Sequence, residues 1–322
     1  MSYTLPTNNF RHYINGELVA GEGRTTTIIC PGNGQEVASV ALASKRQALA
    51  ALEAAQAAFP EWSALPLEKR GEWILKLRDA IAAEADNLLT LLMLESGKLR
   101  SHAAFETGSL TGYLQFFLEQ AKSEHMEGIR DMTGGKSMFM AVREPLGVVF
   151  AALAWNFPMH NMATKLGPIL ASGCTAVIKP ATKTPLSTMY LGEILKKIDF
   201  PKGVLNFVAG DAKEIGKPLC ESPIPAMLTM IGSTKGGLDM IRDSSTSVKR
   251  FSMELGGNAP VIVTPSADLK AAAAHSMGNK MRCAGQTCVS PQRAFVHASV
   301  YDEFLRLCVE QGKTAKCGTL DE

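Results

Sequence analysis

Several things are scarce in this 322-residue sequence, and each absence narrows what the chain can be. Charge of one sign is missing: 33 Lys and Arg stand against 31 Asp and Glu, a formal net charge of +2. So balanced a surface gives no reason to expect nucleic acid or an anionic membrane as a partner. No uninterrupted apolar run approaches the roughly 18 residues that a membrane helix needs. The opening Met1–Gly16 is polar and has no basic segment leading into an apolar one, so nothing reads as a secretory signal. There is no CxxC and no His pair at metal-ligand spacing, which argues against zinc or another metal. The seven cysteines (30, 174, 220, 283, 288, 308 and 317) are odd in number and scattered, a pattern suited to thiols in a reducing cytoplasm. The G-x-G-x-x-G nucleotide fingerprint is also absent.

What is present is a chain of ordinary hydrophobic content, long enough for two domains. The first 122 residues read mostly as helix. Ser44 can cap an alanine-rich helix from Lys45 to Phe59, ending at Pro60. A second helical pattern runs from Leu67 to about Leu94, with Gly97 beyond it, and a third from Ala103 to Ala121. A polar stretch, Lys122 to Lys136, precedes a strand-like alternation over Ser137–Arg143, and Met138, Phe139 and Met140 in it read as sheet packing.

After Pro145 the texture changes. Apolar runs at Gly147–Leu153, Cys174–Lys179, Val204–Val208, Ala226–Ile231 and Phe251–Leu255 alternate with helix candidates at Met159–Ala171, Leu186–Ile198, Ala212–Cys220 and Lys235–Ser244. Continuous apolar strands separated by amphipathic helices signal an α/β fold, a doubly wound, Rossmann-like parallel sheet covered on both faces. A further unit follows: strand Pro260–Thr264, helix Asp268–Lys280, a loop around Cys288, strand Arg293–His297 and helix Val300–Gln311.

Ligands of a doubly wound sheet bind at the carboxyl ends of its strands. Those ends read Ala154-Trp155-Asn156-Phe157-Pro158, Ile178-Lys179-Pro180, Ala209-Gly210-Asp211, Ile231-Gly232-Ser233-Thr234 and Met253-Glu254-Leu255-Gly256-Gly257. Gly232-Ser233-Thr234 before a helix offers backbone N–H groups to a phosphate, although the same triplet is a common helix cap. Taken singly, every one of these residues has an ordinary structural reading: Asn156 as a turn residue, Lys179 as a surface charge, Glu254 as a solvated strand end, and Cys288 or Cys283 as a small buried hydrophobe.

Together they resemble the aldehyde dehydrogenase superfamily. The strand-end motifs, Thr184-Pro185, Pro201–Asn206, Glu254–Pro260 and Gly285-Gln286-Thr287-Cys288 stand in that family's order and spacing over nearly the whole chain. The resemblance implies a nucleotide-binding domain (1–121 and 145–255), a bridging and oligomerisation segment (122–144) and the first part of a catalytic domain (256–322). It implies NAD or NADP as cofactor, a small aldehyde as substrate and a homo-oligomer as the working form.

The chemistry suits these residues. A thiolate makes the tetrahedral carbon from which hydride can leave, and Cys288 is the candidate nucleophile. The Asn156 amide, with the Cys288 backbone N–H, can stabilise the oxyanion. Glu254 can activate the water that hydrolyses the resulting thioester. The family assigns these three roles to the matching residues, and cofactor contacts to Trp155, Lys179, Thr182, Gly210, Gly232, Ser233, Leu255 and Gly256. Where the family commonly has an acidic residue on the adenosine ribose, this chain has Thr182 followed by Lys183. A threonine beside lysines accepts a 2′-phosphate that a carboxylate would repel, so NADP is expected to serve at least as well as NAD.

The nucleophile's surroundings are most similar to the succinate-semialdehyde dehydrogenase branch, in which Arg282 matches an arginine holding the substrate carboxylate. That branch's second arginine would fall at Thr164 and is missing. Family chains run on for roughly 150 residues more, a whole domain's length. The sequence is therefore expected to be a fragment of a longer enzyme, or a short protein unable to complete the site. A nucleotide-binding or assembly subunit without catalysis is the alternative reading; transfer of the acyl group to coenzyme A is disfavoured by Glu254.

Overall fold

The computed structural model describes residues 3–123, 129–131, 138–140, 142–316 and 318. Its contacts divide the chain into two compact units, Met1–Glu254 and Leu255–Glu322.

The first unit opens with strands that the helical reading of this region passes over: β1 (His12–Ile14), β2 (Glu17–Val19), β3 (Thr25–Ile29) and β4 (Glu36–Ala41). They are short, so their period-2 signal is weak. One local cue was available. Asn15 and Gly16 both take positive φ, 51° and 80°, the signature of the tight turn that joins β1 to β2. Buried His12 ties the end of β9, described below, to Ala41. Its Nδ1 accepts from the Ala209 N–H and its Nε2 faces the Ala41 carbonyl, both at 3.2 Å. That pairing requires the neutral tautomer protonated on Nε2, and burial pushes the imidazole pKa down to about 4.

Helix α1 (Lys45–Ala64) begins as expected. Ser44 Oγ accepts from Gln47 N while the Gln47 side chain accepts from Ser44 N, a reciprocal cap. It does not stop at Pro60 but runs one turn further, because Trp62 is buried against the Phe200 ring 6.0 Å away. The single helix expected from Leu67 to Leu94 is two, α2 (Leu67–Ala83) and α3 (Ala85–Ser96). Glu84 breaks them apart, and its carboxylate is held by Tyr190, Asn87 and Lys197. Next comes α4 (Arg100–Ser123). Much of the expected bridging segment lies outside the described residues. Within it β5 (Ile129–Asp131) pairs antiparallel with β6 (Met138–Met140), whose expected side-chain packing lies outside the described residues.

The five apolar runs are strands: β7 (Val148–Ala152), β8 (Thr175–Lys179), β9 (Leu205–Phe207), β10 (Pro225–Ile231) and β11 (Arg250–Glu254). Between them lie α5 (Pro158–Ala171), α6 (Leu186–Lys197), a π-type turn (Ala212–Gly216) running into α7 (Lys217–Glu221), and α8 (Thr234–Asp243). The sheet order is β11-β10-β7-β8-β9-β1-β2, parallel from β11 to β9 and antiparallel beyond. This is a doubly wound sheet whose direction of winding reverses between β7 and β10. One face is covered by α1, α7 and α8, with Ala48, Leu52, Leu219 and Met240 packed on Phe150, Val177, Val208 and Leu228. On the other face, α5 lies against α2 and α4, and α6 against α2 and α3.

The second unit is a small β-α-β-α arrangement. Strand β12 (Pro260–Val263) runs parallel to β13 (Arg293–Val296), with helices α9 (Leu269–Met281) and α10 (Tyr301–Lys313). Asp268 caps α9 by accepting from Ala271 N at 3.0 Å. Val263, Ala273, Phe304 and Leu307 form its core.

Candidate active site

A reversal of winding leaves a crevice at the carboxyl ends of the two strands that flank it. Here those ends carry Trp155 and Asn156 after β7, and Gly232 and Ser233 after β10. Glu254 closes the neighbouring strand β11. In the β10–β11 ladder Glu254 stands opposite Ile231, and its carbonyl accepts from Gly232 N at 2.9 Å. Asn156 and Glu254 thus follow strands separated by one other, roughly 10 Å by sheet spacing. Asn156 is half-buried, and its Oδ1 accepts from buried Asn161, 3.3 Å away. That bond makes Oδ1 the acceptor end of the amide and Nδ2 its donor end. Trp155 is 43% exposed, and its carbonyl accepts from Thr184 at 3.5 Å.

Which helix ends can receive an anion is decided by residues far away in sequence. The N-terminus of α5 has no side-chain cap of its own; buried Glu106 accepts from Met159 N at 3.0 Å and His160 N at 3.2 Å. The N-terminus of α6 is held in the same way by buried Glu95, which accepts from Leu186 N at 2.7 Å, Ser187 N at 3.3 Å and the Ser187 hydroxyl. Burial pushes Glu95 up to about 7 against those hydrogen bonds. At α8 there is no carboxylate. Ser233 accepts from Gly236 N at 3.1 Å and no acidic residue occupies the first turn. A Cβ at Gly232 would collide with the Met230 side chain, and one at Gly236 would lie 2.7 Å from Met230 Cε. Of the helices α5, α6 and α8, α8 is the one whose first amides are capped by a neutral side chain and not by a buried glutamate.

Lys179, at the end of β8, is 8% exposed, and burial lowers its ammonium pKa to about 8. Its Nζ donates to the Pro180 carbonyl at 3.3 Å. Thr182 Oγ1 donates to the Gly210 carbonyl at 3.0 Å, which spends its only proton. As it stands, Thr182 can accept from a ribose hydroxyl but must turn before donating to a 2′-phosphate. Gly210 faces Ile215, whose Cδ1 would lie 2.6 Å from a Cβ there.

One site residue was not found from sequence. Lys165 is buried on α5 among Met162, Leu166 and Ile169. Burial depresses its pKa, opposed by the nearby negative charge of Glu254. A lone lysine on the inward stripe of an apolar helix was the signal.

The other candidates belong to the second unit. Cys288 is exposed at the centre of a turn closed by Ser290 N donating to the Thr287 carbonyl at 3.1 Å. Upstream, Cys283 and Ala284 take left-handed φ of 52° and 54° in the short turn that starts at half-buried Arg282. Leu255 and Gly256 lead into Gly257, where a Cβ would stand 3.1 Å from the Cys288 carbonyl. Gly257 and the Cys288 loop are thereby brought into contact within this unit.

Residues 18–322 match the aldehyde dehydrogenase family. The chain belongs to that family. It is 38% identical over 301 residues to a probable succinate-semialdehyde dehydrogenase [NADP(+)] of Sinorhizobium fredii, covering 93% of this chain and 61% of that protein. The crystal structure of succinate-semialdehyde dehydrogenase from Burkholderia pseudomallei superposes with a TM-score of 0.93 at 34% identity, over 99% of this chain and 67% of that one. A point-mutant betaine aldehyde dehydrogenase of Staphylococcus aureus, in complex with NAD+ and carrying a BME-modified cysteine, gives 0.91 at 28% identity, over 97% and 64%. The chain thus spans about three-fifths of the length of the curated relatives it matches. Among the described residues no helix is long and apolar enough to cross a membrane, and no cluster of His, Cys, Asp or Glu could hold a metal ion.

Proposed function

We propose that this chain carries the cofactor site and the reacting residues of an NAD(P)-dependent aldehyde dehydrogenase acting on a small semialdehyde. The observation that carries the reading is the row of strand ends on one edge of the sheet. The phosphate-ready terminus of α8 stands between Asn156 on one side and Glu254 on the other. The pyrophosphate would sit at Gly232 and Ser233, and the adenosine ribose at Lys179, Thr182 and Gly210. Trp155, Leu255 and Gly256 would border the nicotinamide half.

The residues then divide the chemistry. Cys288 attacks the aldehyde as thiolate and holds the carbon as a thiohemiacetal. The Asn156 Nδ2–H and the Cys288 N–H donate to its oxyanion, an interaction typically worth about 3–4 kcal/mol. Bound nicotinamide supplies the hydride acceptor. Glu254 takes the proton of the water that cleaves the Cys288 thioester, with buried Lys165 within electrostatic reach of it. Arg282 would pair with a substrate carboxylate, in keeping with the names of the semialdehyde dehydrogenases among the relatives. Residues 122–144 would serve as the bridging segment, and 256–322 as the start of the catalytic domain. Leu238 and Ile241 on α8, with Val248 and Phe251 near the sheet edge, are large apolar residues left exposed, as a homo-oligomer contact would require. A cytoplasmic location fits the thiol chemistry.

The test is NADP and NAD reduction, followed by near-ultraviolet absorbance, with succinate semialdehyde and propionaldehyde as substrates and Cys288→Ala as control. Turnover with succinate semialdehyde favoured, and lost in the variant, is expected. Turnover that survives Cys288→Ala overturns the mechanism. Cofactor binding without turnover would leave a nucleotide-binding chain in place of an enzyme.

A further inference from the structure

Arg24 and Asp211 are 187 residues apart in sequence yet form a two-pronged ion pair. Arg24 Nε donates to Oδ2 and Nη2 to Oδ1, both at 2.8 Å. The arginine is not a stray surface charge. Its carbonyl accepts from Leu42 N at 3.0 Å, and the very next residue is tied down where Ala43 N donates to the Ala209 carbonyl at 2.8 Å. The backbone that carries Arg24 is therefore docked on the carboxyl end of β9. Asp211 directly follows Gly210, the residue whose carbonyl holds Thr182, and it lies within electrostatic reach of buried Lys179. Three charges of alternating sign (Lys179, Asp211 and Arg24) line this end of the sheet.

Asp211 is the awkward member. A carboxylate here can accept ribose hydroxyls, which favours NAD, and it repels a 2′-phosphate. We propose that Arg24 is a cofactor-specificity residue: by occupying both oxygens of Asp211 it masks that carboxylate and keeps the corner beside Lys179 and Thr182 fit for the 2′-phosphate of NADP. The inference rests on the assignment of this corner to the adenosine ribose. It extends that assignment to a residue that no nucleotide motif contains. A fork geometry is needed to cover both oxygens, so lysine would be a partial substitute only.

The experiment is calorimetric titration of the purified chain with NADP, NAD, 2′-AMP and 5′-AMP, comparing wild type, Arg24→Ala, Arg24→Lys and Arg24→Ala/Asp211→Asn. Both sites are partly exposed, so the variants are expected to fold, and circular dichroism checks this. Unmasking one carboxylate beside a dianion should weaken NADP and 2′-AMP roughly tenfold, an effect that shrinks with added salt. NAD and 5′-AMP should hold or tighten, Arg24→Lys should fall between, and Asp211→Asn should restore NADP binding in the Arg24→Ala background. Equal weakening of all four ligands, or no rescue by Asp211→Asn, overturns the inference and leaves the cofactor assignment standing. Binding of none of the four by the wild-type chain overturns both.

Discussion

Removing the Glu106 carboxylate should cost this protein far more than an average substitution, and the structure says why. Glu106 is fully buried, ion-paired to Lys98, and the acceptor for two amides at the start of α5. Lys98 is itself buried, its Nζ 3.8 Å from the centre of the Phe157 ring. In Glu106→Ala the ammonium keeps, among the described residues, that ring as its partner, and Met159 N and His160 N lose the Glu106 acceptor. Breaking a buried pair from one side typically costs about 3–5 kcal/mol, against a total stability of roughly 5–15 kcal/mol for a domain. Removing both charges while keeping an acceptor, as in Lys98→Met/Glu106→Gln, should cost within about 2 kcal/mol, because desolvation of the pair is also relieved. The assay is urea unfolding followed by tryptophan fluorescence. Trp62, Trp73 and Trp155, all the tryptophans of the chain, lie in the first unit, so the signal reports the unit that contains the pair. If Glu106→Ala loses less than about 1 kcal/mol, or the double variant is the less stable of the two, the carboxylate is not what holds this end of α5.

His12 and Thr182 carry the remaining predictions. The folded pKa of His12 is pushed down from 6.5 to about 4, so its contribution is present above about pH 6.5 and lost as pH falls through 4, in total about 3 kcal/mol. The urea midpoint of wild type should therefore drop over that window more steeply than that of His12→Gln; parallel curves would refute the assignment. Thr182→Glu places a carboxylate at the proposed ribose corner and should weaken NADP by roughly tenfold relative to NAD, read as the ratio of kcat/KM values or of dissociation constants. An unchanged ratio would remove Thr182 from the cofactor site.

The central parallel strands β7 and β8 were legible because each is a nearly continuous apolar run, which a strand buried on both faces demands and a surface helix rarely supplies. The α8 cap was legible for a similarly local reason, since Ser233 bonds a backbone group three residues on. What escaped the sequence was decided at long range. Pro60 announces a helix end, but the contact of Trp62 with Phe200 carries α1 past it. The split between α2 and α3 depends on Glu84 meeting Tyr190 and Lys197. Glu95 and Glu106 look like ordinary helix carboxylates, and the amides they accept from lie 53 to 92 residues away. Lys165 and the Arg24–Asp211 pair are of the same kind. Among the proposed cofactor residues, Thr182 was legible as the polar group three positions after Lys179, but its bond to Gly210 was not.

The helical layer of α3 and α4 therefore does more than cover one face of the sheet. In a doubly wound fold every helix that follows a strand points a positive terminus at the same edge, so several sites compete for one anion. Buried Glu106 and Glu95 already accept from the first amides of α5 and α6, so those N–H groups are not offered to a phosphate. The terminus of α8, next to the reversal of winding, is capped by a neutral serine and lined by glycines. On the proposed reading a pyrophosphate would sit at the α8 terminus, and the nicotinamide half would lie toward the strand ends that carry Asn156 and Glu254. The buried acids of the outer helices would then help to set the register of the cofactor without touching it.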